Sequence, residues 1–325
     1  MELKTLYLSQ ADVANVGITM AEIIEAVEKG FVEMGNGRVE MPPKPGIHPG
    51  EGDDNYIHAM PAFIPGMQSA GMKWVSGYPG NQKKGMPYNM GILMLNDPET
   101  GMVKSIMDCS WITTMRTGAA SAVSAKYLAR PESSTIGILA CGVQGHSNLE
   151  AMNVLFPLKK VMAFDPNQKQ AENLAEFAKG LGLEVEIVDD PRKAVTGCDI
   201  VVTSGPILKQ PHETIKAGWV DEGAFVSCVD FDSFFSRDAL NEADKWTTDN
   251  TAQYMHYKDN VGFFKQCPDV YAELGELVTG KKKGRENDKE RNFASNLGVA
   301  MEDMAVAPLI FEKAVEKEIG TWLPL

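Results

Sequence analysis

The pattern of apolar and polar positions changes character once along the chain, near residue 116. Before that point, Ile23, Ile24, Val27, Phe31 and Met34 recur at helical spacing within residues 20–34, which predicts a one-faced helix stopped near Gly35. A Pro/Gly-rich passage follows, from Met41-Pro42-Pro43-Lys44-Pro45 to Gly52. Short strand-like runs at 56–60, 70–75 and 91–95 then alternate with turns. The turn Asn96-Asp97-Pro98-Glu99-Thr100-Gly101 joins the last of them to a strand over 102–108. A mixed α/β region with a sheet built of such hairpins is expected.

Beyond residue 116, strands and helices alternate. Residues 118–129 are alanine-rich and predict a tightly packed helix stopped by Pro131. Apolar strands are expected at 136–140, 161–164, 184–188, 199–203, 224–228 and 246–248, with helices at 146–155 and 167–181. Repeated βα units of this length imply α/β architecture with a Rossmann-type, doubly wound parallel sheet. Residues 296–316 predict a long apolar-faced helix that rejoins the N-terminal region. A chain of 325 residues is too long for one ordinary core. Two domains are therefore expected: 1–115 with 298–325, a mixed α/β domain completed by the C-terminal helix, and 116–297, the doubly wound domain. There is no internal repeat and no low-complexity segment.

Composition narrows the classes. Hydrophobic residues at 44% and charged residues at 23% fit a soluble globular chain. No stretch reaches the roughly 20 apolar residues of a membrane span. The start, Met1-Glu2-Leu3-Lys4, lacks the order of a secretory signal, so a cytoplasmic location is expected. A formal net charge of −13 argues against nucleic-acid binding. The one basic run, Lys281-Lys282-Lys283-Gly284-Arg285, reads as a solvated loop between helices. Five cysteines without a CxxC pair fit reduced thiols, and five histidines without a HExxH motif give no support for a metal.

The strand at 136–139 runs into Ala140-Cys141-Gly142-Val143-Gln144-Gly145 and then a helix. This is a GxGxxG pattern with alanine at its first position. Small residues there allow a tight turn and let backbone N–H groups approach a pyrophosphate at the helix N-terminus, so Gly142, Val143 and Gln144 are candidate cofactor contacts. Ala140 keeps the smallness but not glycine's freedom at positive φ. Asp165 ends the next strand, about twenty residues past Gly145, where an acid accepts hydrogen bonds from the adenosine ribose. It would also repel a 2′-phosphate, which favours NAD over NADP. Capping of the next helix is the alternative role for Asp165.

Four segments are more specific: Gly71-Met72-Lys73-Trp74-Val75-Ser76-Gly77-Tyr78-Pro79, Arg116-Thr117-Gly118-Ala119-Ala120-Ser121, the loop ending at Gly145, and Gly298-Val299-Ala300-Met301-Glu302-Asp303. In these the chain resembles the ornithine cyclodeaminase/mu-crystallin family over nearly its whole length. The resemblance implies an NAD-binding Rossmann domain and an N-terminal domain that binds substrate and forms a homodimer. It also implies hydride chemistry at the α-carbon of a small amino acid or its imine. An amino or imino acid presents a carboxylate, which needs fixed cations: Arg116 can hold it bidentately, and Lys73 matches the family lysine that contacts substrate. Lys44 falls where relatives carry arginine, with a surface cation as the alternative. Asp232 aligns with the family aspartate that handles a proton at the reacting nitrogen or water; Asp230 competes for that role, and a solvated loop acid is the alternative. Family cofactor contacts fall at Thr117 and at Thr203-Ser204-Gly205; Ser227 has a weaker case.

The chain departs from the ornithine enzyme in three places. That enzyme's Asp-Cys-Pro-Gly-Lys type segment is here Asp232-Ser233-Phe234-Phe235-Ser236. His58 stands where it has an acid for the distal amine, with a core histidine as the alternative, and Lys44 replaces arginine. A buried ammonium without an anion is strongly disfavoured, so the substrate side chain is expected to be neutral, aromatic or acidic. The expectation is an NAD-dependent amino acid dehydrogenase of the alanine dehydrogenase kind, or an imine (ketimine) reductase. A deaminating cyclase that uses NAD catalytically is the alternative, and a non-catalytic mu-crystallin-like binding protein comes third.

Overall fold

In the computed structural model, which describes residues 3–50 and 55–325, the chain divides into two compact units, Met1–Arg116 with Val299–Leu325 and Thr117–Gly298. The end of the Pro/Gly-rich passage, Glu51 and Gly52, lies outside the described residues, as do Met1 and Glu2.

The first unit opens with β1 (Lys4–Leu8), α1 (Gln10–Asn15) and α2 (Met20–Gly35). Both helices begin with a capping box, Ser9 with Asp12 and Thr19 with Glu22, which satisfies N–H groups that a helix start leaves without partners. The expected one-faced helix is α2, with Ile23, Ile24, Val27 and Phe31 buried. Then come β2 (Gly46–Ile47), β3 (Tyr56–Ile64), β4 (Ser69–Gly77), β5 (Asn89–Asn96) and β6 (Val103–Asp108). From β2 to β6 each strand pairs antiparallel with the next, the hairpin sheet expected from the alternation. Side chains along β4 alternate between two faces: Ser69, Lys73, Val75 and Gly77 are buried, while Trp74 is exposed.

The helix α3 spans Ser110–Leu128, so it starts eight residues before the expected 118. Asp108 accepts from the backbone N–H of Ser110 at 2.8 Å, a start signal that the mixed Ser-Trp-Ile-Thr-Thr run conceals. The boundary between the units falls within this helix.

The second unit contains β7 (Thr135–Leu139), α4 (Val143–Leu155), β8 (Lys160–Phe164), α5 (Gln168–Gly180), β9 (Glu184–Ile187), β10 (Ile200–Thr203) and β11 (Phe225–Cys228). It continues with α6 (Arg237–Leu240), β12 (Lys245–Thr248), α7 (Thr251–His256), β13 (Ala272–Glu273), α8 (Leu274–Val278) and β14 (Asn292–Ser295). The strands lie in the order β13-β12-β14-β11-β10-β7-β8-β9, and every pairing is parallel. Strands β10, β11, β12 and β14 are buried at every position, as a parallel sheet covered on both faces requires. The chain runs outward from β7 to β9, then resumes beside β7 with β10 and runs the other way. The gap between the carboxyl ends of β7 and β10 is therefore the topological switch point, the place where such sheets bind ligands. The basic run at 281–285 lies between a helix and a strand, α8 and β14, not between two helices.

The last helix, α9 (Ala300–Glu316), and the strand β15 (Thr321–Pro324) belong to the first unit. The helix starts four residues later than expected, because β14 occupies 292–295 and Gly298 turns the chain at φ 73° before extended Val299 caps it. It packs on the buried face of the sheet, where Ser69 Oγ donates to the Met304 carbonyl at 2.6 Å. β15 pairs antiparallel with β1 and closes the sheet order as β15-β1-β6-β5-β4-β3-β2.

Candidate active site

In the first unit two of the expected substrate-binding cations lie together. Lys73 projects from β4 and Arg116 from α3, and both are buried. Lys73 Nζ lies 2.8 Å from Asp303 Oδ1 and 2.7 Å from Oδ2, with Thr113 Oγ1 at 3.4 Å. Arg116 Nη1 donates to Glu302 Oε2 at 2.6 Å, and its Nε lies 3.2 Å from Asp303 Oδ1. Asp303 thus bridges the ammonium and the guanidinium. Burial holds the Lys73 ammonium below its ordinary pKa, the neighbouring Arg116 charge adds to this, and Asp303 opposes it.

Glu302 and Asp303 were not among the residues expected to form the site. Both are fully buried in the first turn of α9, where the helix dipole favours negative charge. Two adjacent acids inside an apolar helix were the available signal, since carboxylates are almost never buried without a partner.

His58 sits on β3, in register with Val75 of β4, two positions along from Lys73. Its ring stacks on Tyr56 with centroids 4.4 Å apart and meets His48 edge-on at 6.3 Å. Gly46 lies opposite His58 in the β2–β3 register, and a Cβ there would run into the imidazole. The His58 pKa is pushed down to about 3 by burial first, and then by the electrostatic effect of Lys44, His48 and Lys73. His58 is therefore a neutral imidazole, and Lys44 is near enough for its charge to act on the ring.

In the second unit, the loop between β7 and α4 begins with Ala140 at φ 70°, in the left-handed region that the alanine was expected to make difficult. Gly142 stands at the N-cap of α4 without a side-chain cap, and a Cβ on it would meet nothing within 4 Å. Gly145 is the reverse: a Cβ would lie 2.8 Å from the Ala140 carbonyl and 3.1 Å from Ile138 Cγ2. One glycine leaves the helix N-terminus open, and the other lets α4 pack closely on β7. Val143 is exposed, and the Gln144 side-chain carbonyl accepts from Ser147 Oγ at 3.3 Å. Thr117 is half-buried in α3.

Asp165 follows β8. Its Oδ2 accepts from the Cys141 backbone N–H at 2.7 Å and its Oδ1 from that of Asn167 at 2.8 Å. The cap of α5 is Asn167, so Asp165 ties the glycine loop instead of capping the helix. Uncapped helix N–H groups, an unobstructed Gly142 and an acid at the end of β8 fit a dinucleotide: the first two suit its pyrophosphate, and the acid suits its ribose hydroxyls.

At the end of β10, Thr203 Oγ1 donates to Asp230 Oδ1 at 2.7 Å and the Gly205 N–H donates to Oδ2 at 2.8 Å. Ser204 Oγ donates to the Ala140 carbonyl at 2.8 Å, linking the two loops of the switch point. Burial pushes the Asp230 pKa up to about 7 against these hydrogen bonds. Asp232 is also buried, and burial raises its pKa, with the Cys267 thiol and the Phe264 backbone beside it. Between the two acids Phe231 adopts φ 64°, and its ring lies 4.7 Å from that of Phe264. Ser227 Oγ donates to Ser121 Oγ at 3.0 Å in the interior. Among the described residues no group of three His, Cys, Asp or Glu side chains could hold a metal ion.

The model of the ornithine cyclodeaminase/mu-crystallin family matches residues 4–318. Alanine dehydrogenase of Archaeoglobus fulgidus is 36% identical over 327 residues, covering 98% of each chain. The structure of Thermococcus litoralis Δ1-pyrroline-2-carboxylate reductase in complex with NADH and L-proline superimposes with a TM-score of 0.87 at 34% identity, over 98% of this chain and 99% of that one. An archaeal alanine dehydrogenase dimer with bound NAD gives a TM-score of 0.88 at 33% identity, over 99% and 100%.

Proposed function

Because the chain belongs to the ornithine cyclodeaminase/mu-crystallin family, we propose that it is an NAD-dependent oxidoreductase acting on the C–N bond of a small amino acid or its imine. The observation that carries this reading is the buried pair Lys73 and Arg116, held within the first unit by Asp303 and Glu302. Buried cations fixed by hydrogen bonds suit a substrate carboxylate, for which a guanidinium offers a fork of donors. Likeness to an alanine dehydrogenase and to an imino acid reductase supports the same chemistry.

Within this reading Lys73 and Arg116 hold the α-carboxylate, with Lys44 assisting. Neutral His58 meets the substrate side chain, which disfavours a distal ammonium. Asp232 handles the proton at nitrogen, and its raised pKa suits a group that must both take and give one. Asp165 accepts from the ribose of NAD, while Gly142, Val143 and Gln144 offer the pyrophosphate the N-terminus of α4. Thr117, Thr203 and Ser204 complete the cofactor contacts. When bound, the nicotinamide supplies or accepts the hydride.

The chain forms a homodimer through the exposed face of the first unit's sheet, where Tyr7, Trp74, Met90 and Ile92 lie. All five cysteines are free and buried, which supports a cytoplasmic location. Among the described residues no helix is long and apolar enough to cross a membrane.

Purified protein with NADH should consume the cofactor in the presence of at least one cyclic imino acid, or one 2-oxo acid with ammonia or methylamine. With NAD it should oxidise the matching amino acid. A deaminating cyclase would release ammonia without net change in nicotinamide absorbance. Silence in every assay, in both directions, would sink the oxidoreductase reading.

A further inference from the structure

We infer that Glu302 and Asp303, at the start of α9, are positioning residues: Asp303 keeps Lys73 charged and aimed, and Glu302 aims Arg116. The inference rests on the reading above for its catalytic consequence, but its structural part stands independently.

The geometry divides the work. Lys73 Nζ donates to Asp303 Oδ1, Oδ2 completes the ion pair at 2.7 Å, and Thr113 Oγ1 lies on another side at 3.4 Å, so one of the ammonium's three N–H donors remains for a substrate carboxylate. Glu302 takes the Nη1 side of the Arg116 guanidinium, and Asp303 also faces its Nε. Without these acids, a buried lysine and arginine would face each other with no counter-charge, an arrangement that would deprotonate the lysine. The groups that bear on Lys73 come from three places: Arg116 on α3, Cys109 just before it and Asp303 on α9, while His58 on β3, pushed toward the neutral form, adds no charge. Of these, Asp303 pairs with the ammonium and accepts a hydrogen bond from it, which makes it the main counterweight to burial.

The signs follow from the chemistry. Asp303→Asn removes the anion and leaves an amide of the same shape, so the Lys73 pKa must fall further. If the ammonium form holds the carboxylate, the alkaline limb of kcat/KM moves to lower pH, and activity at neutral pH drops about 100-fold, partly recovering in acid. Glu302→Gln loosens the guanidinium fork, so KM for the amino or imino acid rises about tenfold while kcat stays within a factor of about three. Asp303→Glu keeps the charge but displaces it, so kcat/KM falls while the pH limb stays in place.

The experiment has two arms on the full-length protein. In the first, the Lys73 side chain is followed by carbon NMR of labelled lysine across pH, without substrate, in wild type and Asp303→Asn, with Lys73→Arg to assign the signal. A lower titration midpoint in Asp303→Asn supports the inference, and an unchanged midpoint overturns it. In the second, pH profiles and the KM-against-kcat split are measured for the active substrate, with NAD affinity as the check of folding. A shifted alkaline limb for Asp303→Asn with a KM effect for Glu302→Gln supports the inference. A pH-independent loss, or unchanged kinetics, overturns it. Should Asp303→Asn not fold, Asp303→Glu and Glu302→Gln decide by the outcomes given above. Failure of wild type to turn over any substrate would touch only the proposed function, because the first arm needs no activity.

Discussion

One oxygen of Asp165 accepts from the Cys141 N–H and the other from the Asn167 N–H, so this carboxylate holds the glycine loop against the end of β8. Each oxygen keeps a further lone pair for a ribose hydroxyl. Charge-assisted hydrogen bonds are worth about 1.5–3 kcal/mol each, so Asp165→Ala should weaken NAD about 10- to 100-fold. Loss of the negative charge should weaken NADP much less, which narrows the preference between the two cofactors. Both affinities can be read by titration of protein fluorescence. Unchanged NAD affinity would leave Asp165 as a tie between loops and nothing more. The same side chain shows how far residue-level reading reached: its place at a strand end was legible, while its two backbone partners were not, because they depend on how the Ala140–Gly142 turn folds back.

At the scale of elements, the turn at Ala140 and the packing at Gly145 make one device. Ala140 adopts φ 70° in spite of its Cβ, and its carbonyl lies where a side chain at 145 would collide with it. Gly145→Ala should therefore push α4 away from β7, costing about 1–3 kcal/mol as an overpacked contact and weakening NAD in parallel. Thermal unfolding and cofactor titration would both record it, and a variant with normal Tm and normal NAD affinity would refute the packing argument. The βα alternation of the second unit was plain in the sequence because buried parallel strands are nearly continuous apolar runs. The start of α3 was hidden, because Ile112, Thr113, Thr114 and Thr117 are β-branched residues of low helix propensity, and the alanine-rich run begins only after them. Glu302 and Asp303 escaped for another reason. Their partners, Arg116 and Lys73, are 186 and 230 residues away in the chain, so only the fold discloses what neutralises them.

For the molecule as a whole, assembly turns on one face of the first unit's sheet. Helix α9 covers the side that carries Ser69 and Lys73. On the opposite side Trp74 and its cross-strand partner Ile92 are exposed by 42% and 39% of their surface, with Tyr7 and Met90 also exposed. Met72, Met94 and Ile106 are half-buried on the same side. A run of large apolar side chains across neighbouring strands exceeds the scattered exposure normal for a monomer. A second copy presenting the same face would cover it by two-fold symmetry, with Trp74 as an aromatic anchor. Sedimentation equilibrium should then give about twice the 35.5 kDa chain mass. Trp74→Glu places a charge in that interface and should weaken association by at least about 30-fold, the equivalent of a 2 kcal/mol anchor. The substitution lies outside the second unit, so NAD affinity serves as an internal control for folding. A monomeric wild type, or a Trp74→Glu protein that remains dimeric at low concentration, would remove this face from consideration. A net charge of −13 on each copy adds a further condition. Like charges repel at long range and are screened by salt, so the dimer should tighten as ionic strength rises, the direction expected when apolar burial, and not ion pairing, holds the copies together.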